Sequence, residues 1–283
     1  MHQTIIDLLN KAADANSEDG FRRGNVIYLP TEGSLIVAGD IHGHRRNFER
    51  IIAFASLDTN PDRHIILQEI IHGGPEDQQG GCLSYKLLFD VARYKLNFPH
   101  RVHIIMGNHD TAFISDIQVM KDGKEVSRPM YLAMQREFQQ SCPEIIQAIR
   151  QFLFSQALAV RCDNRLWISH SLPADRFIDK FDTGILSRPL QPDDLDRPGS
   201  AYLLTWGRRH SQALIDKMAE ILDVDIFILG HQHQQQGWTR AGKNLIIIAS
   251  DHNHGCLLSL NLSESYTIEQ LIDSIVPLTS IPA

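Results

Sequence analysis

The chain has 283 residues, enough to bury a sizeable core, and its 43% apolar and 22% charged content is that of an ordinary globular protein. A formal net charge of −7 excludes a general nucleic-acid-binding surface, which needs clustered Lys and Arg, while leaving room for a small basic pocket. No stretch approaches the ~20 apolar residues of a membrane span, and the first ten residues lack the basic start and apolar run of a signal peptide, so no membrane partner and a cytoplasmic location are expected.

In chain order, Ile5, Leu8, Leu9 and Ala12 share one face of a short amphipathic helix, within a lead-in over 1–30. Short runs rich in Ile, Val and Leu, punctuated by Gly, Asn or Asp, predict strands at 35–38, 64–67 and 102–106. Between them lie two helical stripes: Phe48, Ile51, Ile52 and Ala55, then Leu83, Leu87, Leu88, Val91 and Tyr94. Strand alternating with helix implies parallel crossover units. Residues 111–156 read as a helical insertion, with a turn at Lys121-Asp122-Gly123-Lys124 and helices at 131–139 and 144–154. Further strands are expected at 157–161 and 166–169. The Pro-, Asp- and Gly-rich 187–200 reads as a surface loop, a connector or a lid. A helix at 211–222 precedes strands at 226–229, 245–249 and 257–260, whose close spacing suits a mixed sheet. With no repeat or linker visible, 1–283 is expected to form a single domain. Cys82, Cys142, Cys162 and Cys256 show no CxxC pair and read as buried free thiols.

Five segments share one pattern, an apolar strand that stops at metal-competent residues. They are Leu35 to Gly43 with Asp40 and His42, His64 to Gly74 with Glu69 and His72, Ile104 to Asp110 with Asn108 and His109, Leu166 to His170, and Ile226 to His233 with His231. Open α/β sheets gather ligands outside the carboxyl ends of their strands. Five such ends would bring Asp, His, Glu and Asn into one crevice. Two metal ions there need a carboxylate able to bridge them, with neutral imidazoles and an amide oxygen completing each sphere. That donor mixture suits Mn, Fe or Zn and not Ca or Mg.

Gly39-Asp40-Ile41-His42-Gly43, then Gly107-Asn108-His109-Asp110, then His170, then Gly230-His231-Gln232-His233 resemble the calcineurin-like metallophosphoesterase superfamily. Trp206-Gly207-Arg208 before the last motif makes the phosphoprotein phosphatase branch the most similar, over roughly 35–260. The resemblance implies an α/β fold, a sandwich of two mixed β-sheets flanked by helices. It implies two divalent or trivalent metal ions, Mn first, with Fe or Zn as alternatives. Asp40 and His42 would bind the first ion, Glu69 would stand at the bridging position, and Asn108, His170 and His231 would bind the second. His233 matches a histidine that reaches the first ion in many members. His109 matches the histidine that protonates the leaving oxygen.

The second motif departs from the branch. Glu69 adds a methylene to the expected bridging Asp. His72 replaces the carboxylate that would orient His109, with Asp110 and Asp251 as candidate substitutes. Gly73 replaces an Arg that would grip phosphate, a role then open to Arg45, Arg46, Arg208 or Arg209. Arg45 and Arg46 sit unfavourably at a helix N-terminus on macrodipole grounds, which hints at a nearby anion or a solvated pair.

The resemblance therefore implies a phosphatase-type hydrolase, cleaving a phosphomonoester by attack of a metal-bridging hydroxide. Its phosphorylated substrate would be a phosphoserine or phosphothreonine protein, or a small molecule such as a dinucleoside polyphosphate. The rival of another class is a metal-binding interaction protein with impaired catalysis.

Overall fold

The computed structural model describes residues 2–117, 120–121, 124–125 and 127–282. The helices are α1 (His2–Ser17), α2 (Arg45–Ala55), α3 (Ser84–Asn97), α4 (Asn108–Ile114), α5 (Arg128–Phe138), α6 (Cys142–Phe154), α7 (Ser200–Trp206), α8 (Gln212–Leu222) and α9 (Ile268–Asp273). The strands begin with β1 (Arg22–Arg23), β2 (Val26–Leu29), β3 (Ser34–Asp40), β4 (Arg63–Gln68), β5 (Val102–Ile105), β6 (Met120–Lys121) and β7 (Lys124–Glu125). They continue with β8 (Ala159–Cys162), β9 (Leu166–Ser169), β10 (Ile226–Leu229), β11 (Trp238–Arg240), β12 (Leu245–Ile248), β13 (Cys256–Asn261) and β14 (Ile275–Pro277).

Two mixed sheets form the centre, in the orders β14-β13-β3-β4-β5 and β1-β2-β8-β9-β10-β12-β11. β3, β4 and β5 run parallel, joined by the α2 and α3 crossovers, as strand alternating with helix implied. Side chains alternate across each strand, and here both faces are apolar because both are covered. Val37, Ile66 and Ile105 point inward against Ile168, Ile228 and Ile246 of the other sheet. Ile36, Ile65 and Ile104 point outward into a layer that includes Leu9, Ile51, Leu88 and Ile149 of the helices. On the far side Phe227, Leu229 and Ile247 pack on Leu214, Ile215 and Met218 of α8. The result is the α/β/β/α sandwich expected from the resemblance. No helix among the described residues is long and apolar enough to cross a membrane.

Some boundaries differ from the sequence reading. The strand placed at 157–161 is Ala159–Cys162, because Ala157 instead bridges to Ile105 at the edge of the other sheet. The helices placed at 131–139 and 144–154 start earlier, at Arg128 and Cys142, each with a Pro in its first turn. Residues 187–200 are more than an exposed loop: they contain a 3₁₀ turn (Pro192–Leu195) whose Leu195 is buried. Asp122 and Gly123 of the expected turn lie outside the described residues, while Met120–Lys121 and Lys124–Glu125 on either side pair antiparallel.

At the amino-terminal end of the parallel strands, Lys95 Nζ donates to Asp19 Oδ2 (3.1 Å) and His103 Nδ1 lies 3.0 Å from the same oxygen. His103 Nε2 meets His64 Nδ1 at 3.0 Å. This buried chain accounts for four buried polar side chains, Asp19, His64, Lys95 and His103, and it stands at the end opposite the site.

Candidate metal centre

Six strands deliver their carboxyl ends to one rim. β3 ends in Asp40, β4 runs into Glu69, and β5 into Gly107 and Asn108, where α4 begins. From the second sheet β9 leads to His170, β10 to Gly230 and His231, and β12 to Asp251. The two sheets are tied at this rim. Asp40 bridges to Ala249, and Ser250 N–H donates to the Asp40 carbonyl at 3.0 Å. The rim encloses a cavity of about 690 Å³ whose lining includes Asp40, His42, Asn108, His109 and His231.

Four side chains converge on one point. Asn108 Oδ1 lies 2.8 Å from His231 Nδ1 and 3.0 Å from His170 Nε2, which in turn lies 3.1 Å from Glu69 Oε2. The tautomer of His170 follows from its other nitrogen, which meets Gln68 Oε1 at 2.9 Å while Gln68 Nε2 donates to the Ala38 carbonyl at 3.0 Å. His170 Nδ1 therefore carries a proton, and Nε2 is the nitrogen turned toward Asn108 Oδ1 and Glu69 Oε2. Beside them Asp40 Oδ1 accepts from the His231 N–H at 2.8 Å, and Asp40 Oδ2 lies 3.5 Å from His42 Nε2.

Three further observations fit a metal-holding cluster. Glu69 Oε1 and His231 Nε2 are buried with no hydrogen-bond partner, a costly state for a donor set with nothing to hold. Glu69 is fully buried, yet its carboxylate has no Lys or Arg ion-pair partner among the described residues. His42, Glu69, His72 and His231 all adopt left-handed backbone (φ 44, 47, 71 and 68°), and such strain gathers at functional sites. Side-chain space is equally specific. A Cβ at Gly107 would stand 2.3 Å from Glu69 Oε2, and one at Gly230 would stand 2.4 Å from Asp40 Oδ1. Asn108, His170, His231 and Glu69 thus form one group of adjoining polar atoms, with Asp40 and His42 beside it.

Charges at the cluster are strongly perturbed. Burial opposes ionisation of Asp40, but His170 and His42 outweigh it and hold the carboxyl below the usual range. Burial likewise opposes charge on His42, yet the hydrogen bond and charge of Asp40 lift it to about 9. His109 is pushed well down by burial and by the neighbouring His72 and His42, and His231 by burial and His170. Burial and the Glu69 charge push the Asp110 carboxyl up.

The remaining expected residues fall in different places. His109 stacks on His72, ring centroids 4.0 Å apart and planes 21° apart, and His42 meets both edge-on. Asp110 Oδ2 accepts from the Gly107 N–H at 2.9 Å, so it caps the turn that carries Asn108 and His109. His233 is exposed at the cavity mouth, where its ligand atoms lie within 4.8 Å of those of Asp251 and His252. Arg208 lines the cavity. Burial draws its guanidinium down from the ordinary value, against the opposing pull of Asp40 and Glu69. Arg209 lines an adjoining cavity.

The expectation for Arg45 requires correction. It pairs with Asp90 of α3, because its place in the first turn of α2 points it along the helical layer and away from the rim. Arg46 is exposed on the same helix and is not among the residues that line the cavity.

Gln68 lies inside the His64 to Gly74 segment, where the sequence reading gave it no role. It fixes the ring of His170 from within the core, the part that an outer partner of a metal-binding histidine plays. Gln68→Leu is expected to weaken Mn²⁺ binding about 10–100-fold in calorimetric titration of the metal-free protein, a cost typical of losing such a partner. Unchanged affinity in a folded variant would remove Gln68 from the site.

The calcineurin-like phosphoesterase family model matches residues 33–235. Among solved structures, a protein serine/threonine phosphatase from Saccharomyces cerevisiae superposes with a TM-score of 0.68 at 15% identity, covering 92% of this chain and 83% of that one. A cold-active protein-tyrosine phosphatase from a psychrophilic Shewanella superposes with a TM-score of 0.60 at 15% identity, covering 88% and 80%. At these identities the structures establish likeness of fold.

Proposed function

The chain belongs to the calcineurin-like phosphoesterase family, and from that premise we propose that it hydrolyses a phosphomonoester with two metal ions held by Asp40, His42, Glu69, Asn108, His170 and His231. The observation that carries the reading is one cluster of donor atoms, with His231 Nδ1 and His170 Nε2 at 2.8 and 3.0 Å from Asn108 Oδ1 and Glu69 Oε2 at 3.1 Å from His170 Nε2. The mixed nitrogen and oxygen donors favour Mn, with Fe and Zn next. When bound, the ions polarise phosphoryl oxygens and lower the pKa of water at the site.

The protein's own groups do the rest. Arg208 reaches into the cavity from beside Trp206 and neutralises the phosphate oxygens. His109 stands on α4 next to Asn108, so its ring faces any group whose phosphate lies against the cluster, and it gives the leaving oxygen its proton. His72, stacked on His109, fixes the plane of that ring by packing, where a carboxylate would fix it by charge. Asp110 acts at one remove, by holding the turn that sets both Asn108 and His109. His233 and Asp251 border the entrance.

The test is a comparison of p-nitrophenyl phosphate with bis(p-nitrophenyl) phosphate, using metal-free protein reconstituted with Mn²⁺, Zn²⁺ or Fe²⁺. Monoester hydrolysis that appears only on metal addition, and that exceeds diester hydrolysis, is the expected result. A protein that binds two equivalents of metal and hydrolyses neither ester is a metal-binding interaction protein instead.

A further inference from the structure

A second cavity, of about 460 Å³, adjoins the first and shares Trp206 and Arg208 with it. Its other walls include Tyr202 and Phe177 with Arg176 and Arg209. The rings of Tyr202 and Trp206 lie one turn apart on α7, 5.5 Å between centroids and 12° from parallel. The Arg176 and Arg197 guanidiniums lie 4.8 and 5.0 Å from the centre of the Phe177 ring. Aromatic rings flanked by arginines, beside a phosphate-binding centre, are not accounted for by phosphate hydrolysis alone.

This wall is fixed in place. Trp206 Nε1 donates to Thr111 Oγ1 at 2.9 Å, and Thr111 Oγ1 donates to the Asn108 carbonyl at 2.8 Å. On the other side Ser171 Oγ donates to the Gly207 carbonyl at 2.6 Å, and Ser171 N–H to the Leu204 carbonyl at 2.8 Å. Trp206 is therefore tied both to the helix that begins with Asn108 and to the strand end that carries His170. The second cavity is held in register with the first at short range.

We infer that the second cavity is the leaving-group subsite and that it takes the base of a nucleotide whose phosphate lies in the first. This rests on the phosphomonoesterase reading above and names its substrate class. A heteroaromatic base extends the near-parallel pair of Tyr202 and Trp206, and stacking of this kind tolerates any base. The arginines match the negative charge of the phosphate end. The volume is larger than a single phenyl ring requires, which favours a base with its sugar over a tyrosyl side chain. In the reaction the water oxygen bonds to phosphorus and the bond from phosphorus to the ribose oxygen breaks. One proton of the water ends on that oxygen, and nucleoside and inorganic phosphate leave.

The experiment uses the Mn²⁺-loaded full chain. Adenosine 5′-monophosphate and ribose 5-phosphate, which differ by the base, are titrated calorimetrically into wild type, Tyr202→Ala and Phe177→Ala, and p-nitrophenyl phosphate turnover is followed in each. Wild type is expected to bind the nucleotide about tenfold more tightly, as one stacked base allows. Each variant is expected to lose most of that advantage while keeping its affinity for ribose 5-phosphate, which has no ring to stack. Equal binding of the two ligands by wild type, or an advantage that survives both substitutions, overturns the subsite. So does a phosphotyrosyl peptide that competes better than the nucleotide. Absence of p-nitrophenyl phosphate turnover would instead count against the phosphomonoesterase reading, and the base-dependent binding difference would still decide the subsite.

Discussion

Asp40→Asn is expected to lower kcat/KM on p-nitrophenyl phosphate by more than about 100-fold, since loss of even an outer partner of a metal ligand costs 10–100-fold. The substitution keeps the shape of the side chain. The amide oxygen still accepts the His231 N–H that Asp40 Oδ1 accepts at 2.8 Å. The NH₂ group then replaces Oδ2, the oxygen 3.5 Å from His42 Nε2, and a lone pair aimed at the cluster becomes a donor. One negative charge also disappears from the buried cluster that would balance the proposed ions. Metal content after dialysis should fall with the activity, while the far-ultraviolet spectrum stays unchanged. A variant that retained full activity and two ions would show that Asp40 is not a ligand.

His109→Asn should separate substrates by leaving group. Proton delivery to a departing oxygen is worth about 10²–10⁴-fold when that oxygen is a poor leaving group, and far less for a nitrophenolate. The loss should therefore reach at least ~100-fold for an alkyl phosphate and remain small for p-nitrophenyl phosphate. The backbone N–H of residue 109, which donates to Glu69 Oε2 at 3.2 Å, survives the change, so the Glu69 carboxylate keeps its place. Equal losses on both substrates would show that the side chain positions something and transfers no proton.

The parts of the site that were legible in the sequence are those written as short local strings. Gly39 to Gly43 and Gly107 to Asp110 must each combine a strand end, a tight turn and donor atoms within five residues, and few other needs produce that combination. His170 and His231 were legible through their place at the ends of apolar runs, and the parallel order of β3, β4 and β5 through alternation with helices. What stayed hidden depends on partners far along the chain. Gln68 gains its meaning from His170, 102 residues away, and Trp206 from Thr111, 95 residues away. Arg45 was misplaced because its position at the start of α2 gives no sign that Asp90 of α3 lies across from it. β2 was missed because four residues in a lead-in become a strand only when β8 is there to pair with them.

The rim where the two sheets meet has a consequence for how the chain acquires its activity. Asp40, Glu69 and Asn108 follow strands of one sheet, while His170 and His231 follow strands of the other. The hydrogen bond from His231 to Asp40 closes a loop of 191 residues. Asp40, His42 and Glu69 come from the first sheet alone, but the group around Asn108 takes His170 and His231 from the second. The whole donor cluster therefore exists only where the two sheets are docked. A chain nicked so that the two sheets part is expected to lose it even where every strand survives.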